Sequence, residues 1–355
     1  PRGAPLDLFP YETWARLIAH HTRHSLRAVA AYQGPAGYLP LRAAIAAHLA
    51  VARGVRCTPE QVIVTPGSQG ALDLVARALL RSGDHVWQEE PGNPGARGAF
   101  IGAGADLTPI PIDAEGLAVS VGVARDPQAR LAYVTPAHQF PLGVAMSLTR
   151  RLALLAWARE TAAWIVEEDY DSEYRFRGRP LTALQALDHA DRVIYVGTFS
   201  RILFPALRVG YLVSPPDLVD TLVATRRYID RHPPILEQLA LTDFLARGHL
   251  ARHVRRMRTI YAARGAALVA AVAAECDGLL DIRMPESGLH AVGWLRPGMD
   301  DRGAAHRANH VGIGVLPLSA FALEPLPRGG LLIGYGAVSE GDMRAVVRQL
   351  ARAIR

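Results

Sequence analysis

The sequence predicts an α/β protein with a mostly parallel central sheet in a large domain, followed by a smaller α+β C-terminal domain. Three observations predict it. From about Leu41 to Arg208 amphipathic stretches alternate with short apolar runs bounded by turn residues, the rhythm of βαβ units. After about Pro215 the pattern changes to long arginine-rich helices and then to short strands. The length, 355 residues of which 50% are apolar, suits one large or two moderate domains. The expected division is an N-terminal segment at 1–33 that packs on the small domain or a partner, a large domain at 34–215 and a small one at 216–355.

In chain order, Gln61–Val64, Arg130–Thr135, Trp164–Glu167 and Val193–Val196 are apolar runs short enough to be buried strands. Ala71–Leu80 and Thr149–Glu160 carry apolar residues at i, i+3 and i+4, so they are helices lying on the sheet. Short strands follow around Ile282, His290–Trp294 and Leu331–Tyr335, and a helix runs from Glu340 to the end.

All 39 residues in the Lys+Arg count are arginines. The absence of lysine excludes a P-loop phosphate lysine, a general-base lysine and a lysine Schiff base, because each needs an amine that can lose its proton. Arginine, with a pKa above about 12, supplies none. Cys57 and Cys276 are too far apart for a CxxC pair, and no targeting segment is visible, so a cytoplasmic protein is expected. The chain starts at Pro1 rather than at methionine, which leaves room for a preceding segment. The longest apolar run, Arg264–Glu275, is shorter than the roughly 20 residues of a membrane span. The net charge of +6 permits contact with nucleic acid, and much of the local excess lies in Arg252–Arg264 at helical spacing, where a solvated helix face is the simpler reading.

In open parallel sheets, ligands bind beyond the carboxyl ends of the strands. Four turns there are rich in polar residues: Thr65–Gly70, Thr135–Pro141, Glu167–Glu173 and Gly197–Arg201. The Gly67–Gly70 turn opens a helix whose first N–H groups are an anion site, or simply a capped start. Thr198, Ser200 and Arg208 add hydroxyls and a guanidinium, a cup for one phosphate. The acidic run is either a solvated loop or a source of carboxylates that pair with a ring nitrogen or orient a histidine. His138 is either a ligand contact or a hydrogen-bonded structural residue. Ser68 lies in Gly-Ser-Gln-Gly rather than G-x-S-x-G, H-E-x-x-H does not occur, and the 13 histidines do not cluster with cysteines or carboxylates at metal-ligand spacing. A hydrolase or metalloenzyme is disfavoured, and no metal is expected.

The order of these turns resembles the fold-type-I pyridoxal-phosphate aminotransferases, and more narrowly the aminotransferase-like domain of MocR/GabR-type regulators of the GntR family. The resemblance runs through Phe9–Trp14, Gly34–Arg42, Val51–Cys57, Glu89–Arg97, Pro136–Pro141, Asp169–Glu173 and Gly197–Arg201. His138-Gln139-Phe140-Pro141 and Asp169-Tyr170-Asp171-Ser172-Glu173 match the regulator group in particular.

The resemblance implies that Ser68, Gln69, Thr198, Ser200 and Arg208 hold the phosphate of pyridoxal phosphate and that Tyr170 hydrogen-bonds its phenolic oxygen. It also implies a homodimer, with Tyr38 and the Gly34–Arg42 loop crossing the interface. Four positions depart from the enzymes. Arg201 stands where the Schiff-base lysine falls. Glu168, with Asp169 beside it as a possible substitute, stands for the aspartate that pairs with the pyridinium nitrogen. Asn93 replaces a ring-stacking aromatic residue, and Leu331–Gly334 lacks the arginine that grips a substrate carboxylate. The expected function is an effector sensor that binds pyridoxal phosphate or another small anion non-covalently and signals to DNA through a domain preceding Pro1. An aminotransferase acting on an amino acid and a catalytically dead partner subunit are the alternatives.

Overall fold

The computed structural model describes residues 5–178 and 181–355, so residues 1–4 of the N-terminal segment and 179–180 of the large domain lie outside the described residues. The chain opens with α1 (Tyr11–His24) and α2 (Leu39–Arg53), then lays down β1 (Val62–Thr65), α3 (Gly67–Leu79), β2 (His85–Glu90), α4 (Pro94–Gly102) and β3 (Asp106–Asp113). It continues with β4 (Gly116–Leu117), α5 (Val119–Arg125), β5 (Leu131–Val134), α6 (Leu148–Thr161), β6 (Trp164–Asp169), α7 (Leu184–Leu187), β7 (Val193–Thr198) and β8 (Gly210–Val213).

These eight strands form one sheet in the order β1-β8-β7-β6-β5-β2-β3-β4. Neighbours from β7 to β3 run parallel, while β8 is antiparallel to both its neighbours. The strand order reverses between β2 and β5, which opens a crevice at the carboxyl ends of the parallel strands.

Strand alternation sorts the sheet's side chains between two cores. On one face Val86, Leu131, Tyr133, Val166, Ile194 and Val196 pack with Leu72 and Val75 of α3. On the other, Trp87, Ala132, Val134 and Ile165 pack with Leu154 and Trp157 of α6. The same alternation carries past the apolar residues, so Glu168 follows Val166 to the α3 face and Asp169 follows Ile165 to the opposite one. Burial on both faces is what a parallel sheet with crossover helices requires.

The remaining elements are α8 (Val219–Ile229), α9 (Ile235–Ala246), α10 (His249–Glu275), β9 (Leu280–Ile282), β10 (His290–Leu295), α11 (Asp301–His310), β11 (Val315–Pro317), β12 (Gly330–Gly334) and α12 (Glu340–Ile354). The four strands make a second, antiparallel sheet in the order β11-β12-β10-β9. Phe9, before α1, packs edge-on against Phe204 at 4.8 Å between ring centroids and stacks at 6.1 Å on Phe244 of α9.

Several sequence expectations change. The helix expected at Ala71–Leu80 starts at Gly67 and ends at Leu79, so the glycine turn is the helix's own first turn. Strands β2 and β3 carry no strong apolar signal, and β8, with its apolar run Tyr211–Val213, is a strand beyond those expected. β2 ends in Gln88, Glu89 and Glu90, all buried, and β3 contains Pro109 and Pro111 near the sheet's edge, where missing N–H groups are tolerated. The Arg264–Glu275 run belongs to the 27-residue α10, which is long and apolar enough to cross a membrane by length and composition. Its Leu268, Ala271 and Val272 pack in the same core as Met343, Val347 and Leu350 of α12. Of its arginines, Arg252, Arg255 and Arg256 face solvent, while Arg258 donates to the Glu173 carbonyl and Arg264 to the Gly336 carbonyl.

Candidate functional site

The crevice begins at the N-terminus of α3. Its N-cap residue, Pro66, makes no side-chain capping bond, so a capped start does not explain the turn. Gly67 adopts φ +75°, and a Cβ there would fall 3.0 Å from the Arg208 guanidinium. Gly210, at the start of β8, approaches the Gly67 backbone so closely that a Cβ would fall 2.5 Å from its carbonyl carbon. The two glycines therefore let the α3 N-terminus and the Arg208 turn meet. Arg208 donates to the Pro66 carbonyl at 2.9 Å. The Thr198 hydroxyl accepts from the Ser200 N–H at 3.2 Å, and the Ser200 hydroxyl is buried with no hydrogen-bond partner. Uncapped N–H groups, hydroxyls and a guanidinium, with the positive end of a helix dipole, make a cup that can hold an anion.

Gln69 links this cup to the next part of the crevice by donating to the Gly95 carbonyl at 2.9 Å. Asn93 caps α4 through the Gly95 N–H (2.9 Å) and donates to Glu168 at 3.2 Å. The Tyr133 hydroxyl donates to the same Glu168 carboxylate at 2.5 Å. Burial, reinforced by the Glu168 charge, pushes the Tyr133 phenol well above its ordinary value, so it stays a donor.

Asp169 is held elsewhere. On the opposite face of β6 it makes a 2.6 Å ion pair with Arg53 of α2 and accepts from the Tyr195 hydroxyl at 2.8 Å. Burial opposes its charge, but Arg53 and the bonds from Ser172 and Tyr195 outweigh burial and hold the carboxyl below the usual range. Asp169 is therefore no substitute for Glu168 in the crevice.

The far end contains His138, Tyr170 and Arg201. The His138 ring meets Asp171 at 3.0 Å through Nδ1, and the Tyr170 hydroxyl donates to the His138 carbonyl at 2.8 Å. The Arg201 guanidinium lies over the Tyr170 ring, 5.7 Å from its centroid. The acidic run is not a solvated loop: Glu167, Glu168, Asp169, Asp171 and Glu173 are all buried. Asp171 orients His138, and Glu167 accepts from the Leu184 and Gln185 N–H groups, each at 2.8 Å.

Ser68, Gln69, Asn93, His138, Glu168, Tyr170, Thr198, Ser200, Arg201 and Arg208 thus follow the carboxyl-end edge of one sheet. Sequence reasoning missed Tyr133 and Glu89, and it offered a histidine-orienting carboxylate in the acidic run without naming Asp171. Glu89 accepts from the Thr135 hydroxyl at 2.6 Å and from Gln139 at 3.1 Å, and burial pushes its carboxyl up to about 7. Tyr133 was within reach of sequence reasoning, since alternation along β5 puts it on the face of β6 that carries Glu168.

The aminotransferase class I and II profile matches residues 6–350. The chain belongs to that family. It is 41% identical over 353 residues to the probable rhizopine catabolism regulatory protein MocR of Rhizobium meliloti, which covers 99% of this chain and 71% of that protein. It is 36% identical over 347 residues to the HTH-type transcriptional regulator YhdI of Bacillus subtilis, covering 98% of this chain and 73% of that one. Among solved structures it is similar to LysN, the alpha-aminoadipate aminotransferase of Thermus thermophilus complexed with N-(5'-phosphopyridoxyl)-L-leucine, with a TM-score of 0.90 and 30% identity over 99% of this chain and 90% of that one. The architecture is that of the fold-type-I aminotransferases, and the chain is similar to MocR/GntR-type regulators.

The family typically uses pyridoxal phosphate. The cup fits that group's phosphate, because the Ser200 hydroxyl is unpartnered and the α3 N-terminus uncapped. Covalent attachment does not fit, because Arg201 stands after β7 and the chain has no lysine.

Proposed function

We propose that the chain is the effector-sensing, aminotransferase-like part of a transcriptional regulator, and that its crevice binds pyridoxal phosphate or another phosphate-bearing small anion without a covalent bond. The observation that carries this reading is Arg201 at the end of β7, in a chain that contains no lysine. The α3 N-terminus with Ser68 and Gln69, the hydroxyls of Thr198 and Ser200, and Arg208 hold the phosphate. Glu168, Asn93, Tyr170 and His138 line the space beyond it.

Bound pyridoxal phosphate supplies an aldehyde and an electron-withdrawing ring. This chain has no lysine side chain in the crevice to condense with that aldehyde, and arginine at neutral pH neither adds to it nor shuttles a proton. The likeness to the regulators supports DNA contact through a further helix-turn-helix domain, in a cytoplasmic homodimer. In this reading residues 34–215 are the large domain and 216–355 the small one.

Likeness to LysN favours a second reading, a working transaminase, and Arg201 separates the two. Titration of the wild type with pyridoxal phosphate is expected to leave the free-aldehyde absorbance unchanged, whereas Arg201→Lys is expected to develop the absorbance of an internal aldimine. An aldimine in the wild type, or transamination by it, overturns the sensor reading.

A further inference from the structure

The arginines at the start of α10 belong to a charged surface built by three helices. Arg252 donates to the ring of His249, the first residue of α10, at 2.8 Å and to the Arg247 carbonyl at 3.2 Å. Burial, and then the charges of Arg252, Arg247 and Arg16, hold the His249 imidazole below its ordinary value. Guanidiniums from α1, the end of α9 and the first turn of α10 therefore converge on one point. Arg255 and Arg256, three and four residues after Arg252, continue the same exposed face along α10. Asp243 is taken up by Arg247 at 2.7 Å and His21 at 3.3 Å, and no ion pair among the described residues reaches Arg16, Arg252, Arg255 or Arg256. Solvation accounts for one charged helix face, but not for the arginines that α1 and α9 bring to it.

The chemistry of this corner narrows its partner. Leu250, Val254 and Met257 of α10 are buried, and none of the large exposed apolar side chains lies on α9 or α10. A lipid surface takes up inserted apolar side chains, and a single nucleic-acid strand stacks its bases on aromatic ones. This surface offers neither. It offers planar, permanently charged donors, which match phosphate oxygens in pairs. Duplex DNA carries one charge per about 1.7 Å of its axis and releases condensed counter-ions where arginines replace them, so it binds such a surface without any apolar contact.

We propose that the corner of α1, α9 and α10 is a contact surface for the phosphate backbone of duplex DNA, through Arg16, Arg247, Arg252, Arg255 and Arg256. The contact is independent of base sequence and additional to the one proposed for a helix-turn-helix domain. It does not depend on what the crevice binds.

Fluorescence anisotropy of a labelled random-sequence duplex, titrated with the chain over a range of salt concentrations, tests it. The wild type is expected to bind with a logarithmic salt slope of about −3 to −4.5, the value for four or five neutralised phosphates. Arg252→Gln/Arg255→Gln/Arg256→Gln is expected to make that slope shallower by about two to three. Arg81→Gln/Arg302→Gln/Arg352→Gln removes the same charge from exposed arginines elsewhere and is expected to keep the wild-type slope. Should the first variant fail to fold, Arg255→Gln/Arg256→Gln replaces it, with an expected change of about two. Three results overturn the proposal: no duplex binding by the wild type at the lowest salt, an equal change of slope in the two triple variants, or binding of polyglutamate or anionic phospholipid vesicles as tight as that of the duplex at equal charge concentration.

Discussion

At the α3 end of the crevice the Ser200 hydroxyl and the first N–H groups of α3 have no side-chain partner, whereas at the opposite end Glu168, His138 and Tyr170 are held by their neighbours. The Ser200 hydroxyl is unpartnered and the α3 N-terminus uncapped, so in the proposed function an anion gains hydrogen bonds from both without breaking an existing one there. Beyond the cup, Glu168 already accepts from Tyr133 and Asn93, His138 is held by Asp171, and Tyr170 donates to the His138 carbonyl. A ligand must compete with those bonds. Under the proposed function, that difference places the affinity in the phosphate and makes the far end a fixed surface against which the rest of the ligand is read. Pre-formed donors that lose nothing on binding are the efficient source of affinity.

The largest effect is expected beneath the far end rather than at either ligand contact. Arg53→Ala leaves Asp169 buried and unpaired, which is expected to cost about 3–5 kcal/mol in urea unfolding at pH 7. The pH dependence has a definite sign. Asp169 lies below its ordinary value in the folded protein, so its stabilising contribution is full above the unfolded value of about 3.9 and is lost as pH falls through the folded one. The deficit of Arg53→Ala is therefore expected to shrink as the pH is lowered through 4. A deficit that does not vary with pH breaks the assignment of that strand end as an electrostatically locked surface.

A smaller effect sharpens the comparison at the cup. Arg208→Ala is expected to weaken inorganic phosphate binding about tenfold, the value of a half-exposed charge-assisted hydrogen bond, with little change in stability. Isothermal titration calorimetry and a thermal melt read the two separately. A loss of stability with no loss of phosphate affinity would make Arg208 only a clamp on the Pro66 carbonyl.

Much of this was legible in the sequence because the large domain repeats one local rule. Apolar runs such as Ile165-Val166 and Ile194–Val196 are buried on both faces, and the turns that follow them carry the polar residues of the crevice. The start of α3 and strand β2 were less legible for opposite reasons. Glycine and proline disguised the first turn of a helix, and Gln88, Glu89 and Glu90 disguised the buried end of a strand. The choice between Glu168 and Asp169 needed the pleat, since adjacent residues of one strand point to opposite sides. His290 left no local signal. It lies on another sheet, and the approach of Gly288 to His138 and Asp171 brings it against the His138 and Tyr170 rings.

The central claim is that the crevice grips a phosphate and forms no covalent bond. Equilibrium dialysis of the wild type against pyridoxal phosphate, followed by borohydride reduction and a mass measurement on the same sample, tests it most directly. The expected result is saturable binding that inorganic phosphate competes away and that dialysis fully reverses, with the protein mass unchanged by reduction. Absence of saturable binding, or a pyridoxyl adduct on a residue of the crevice, would contradict it.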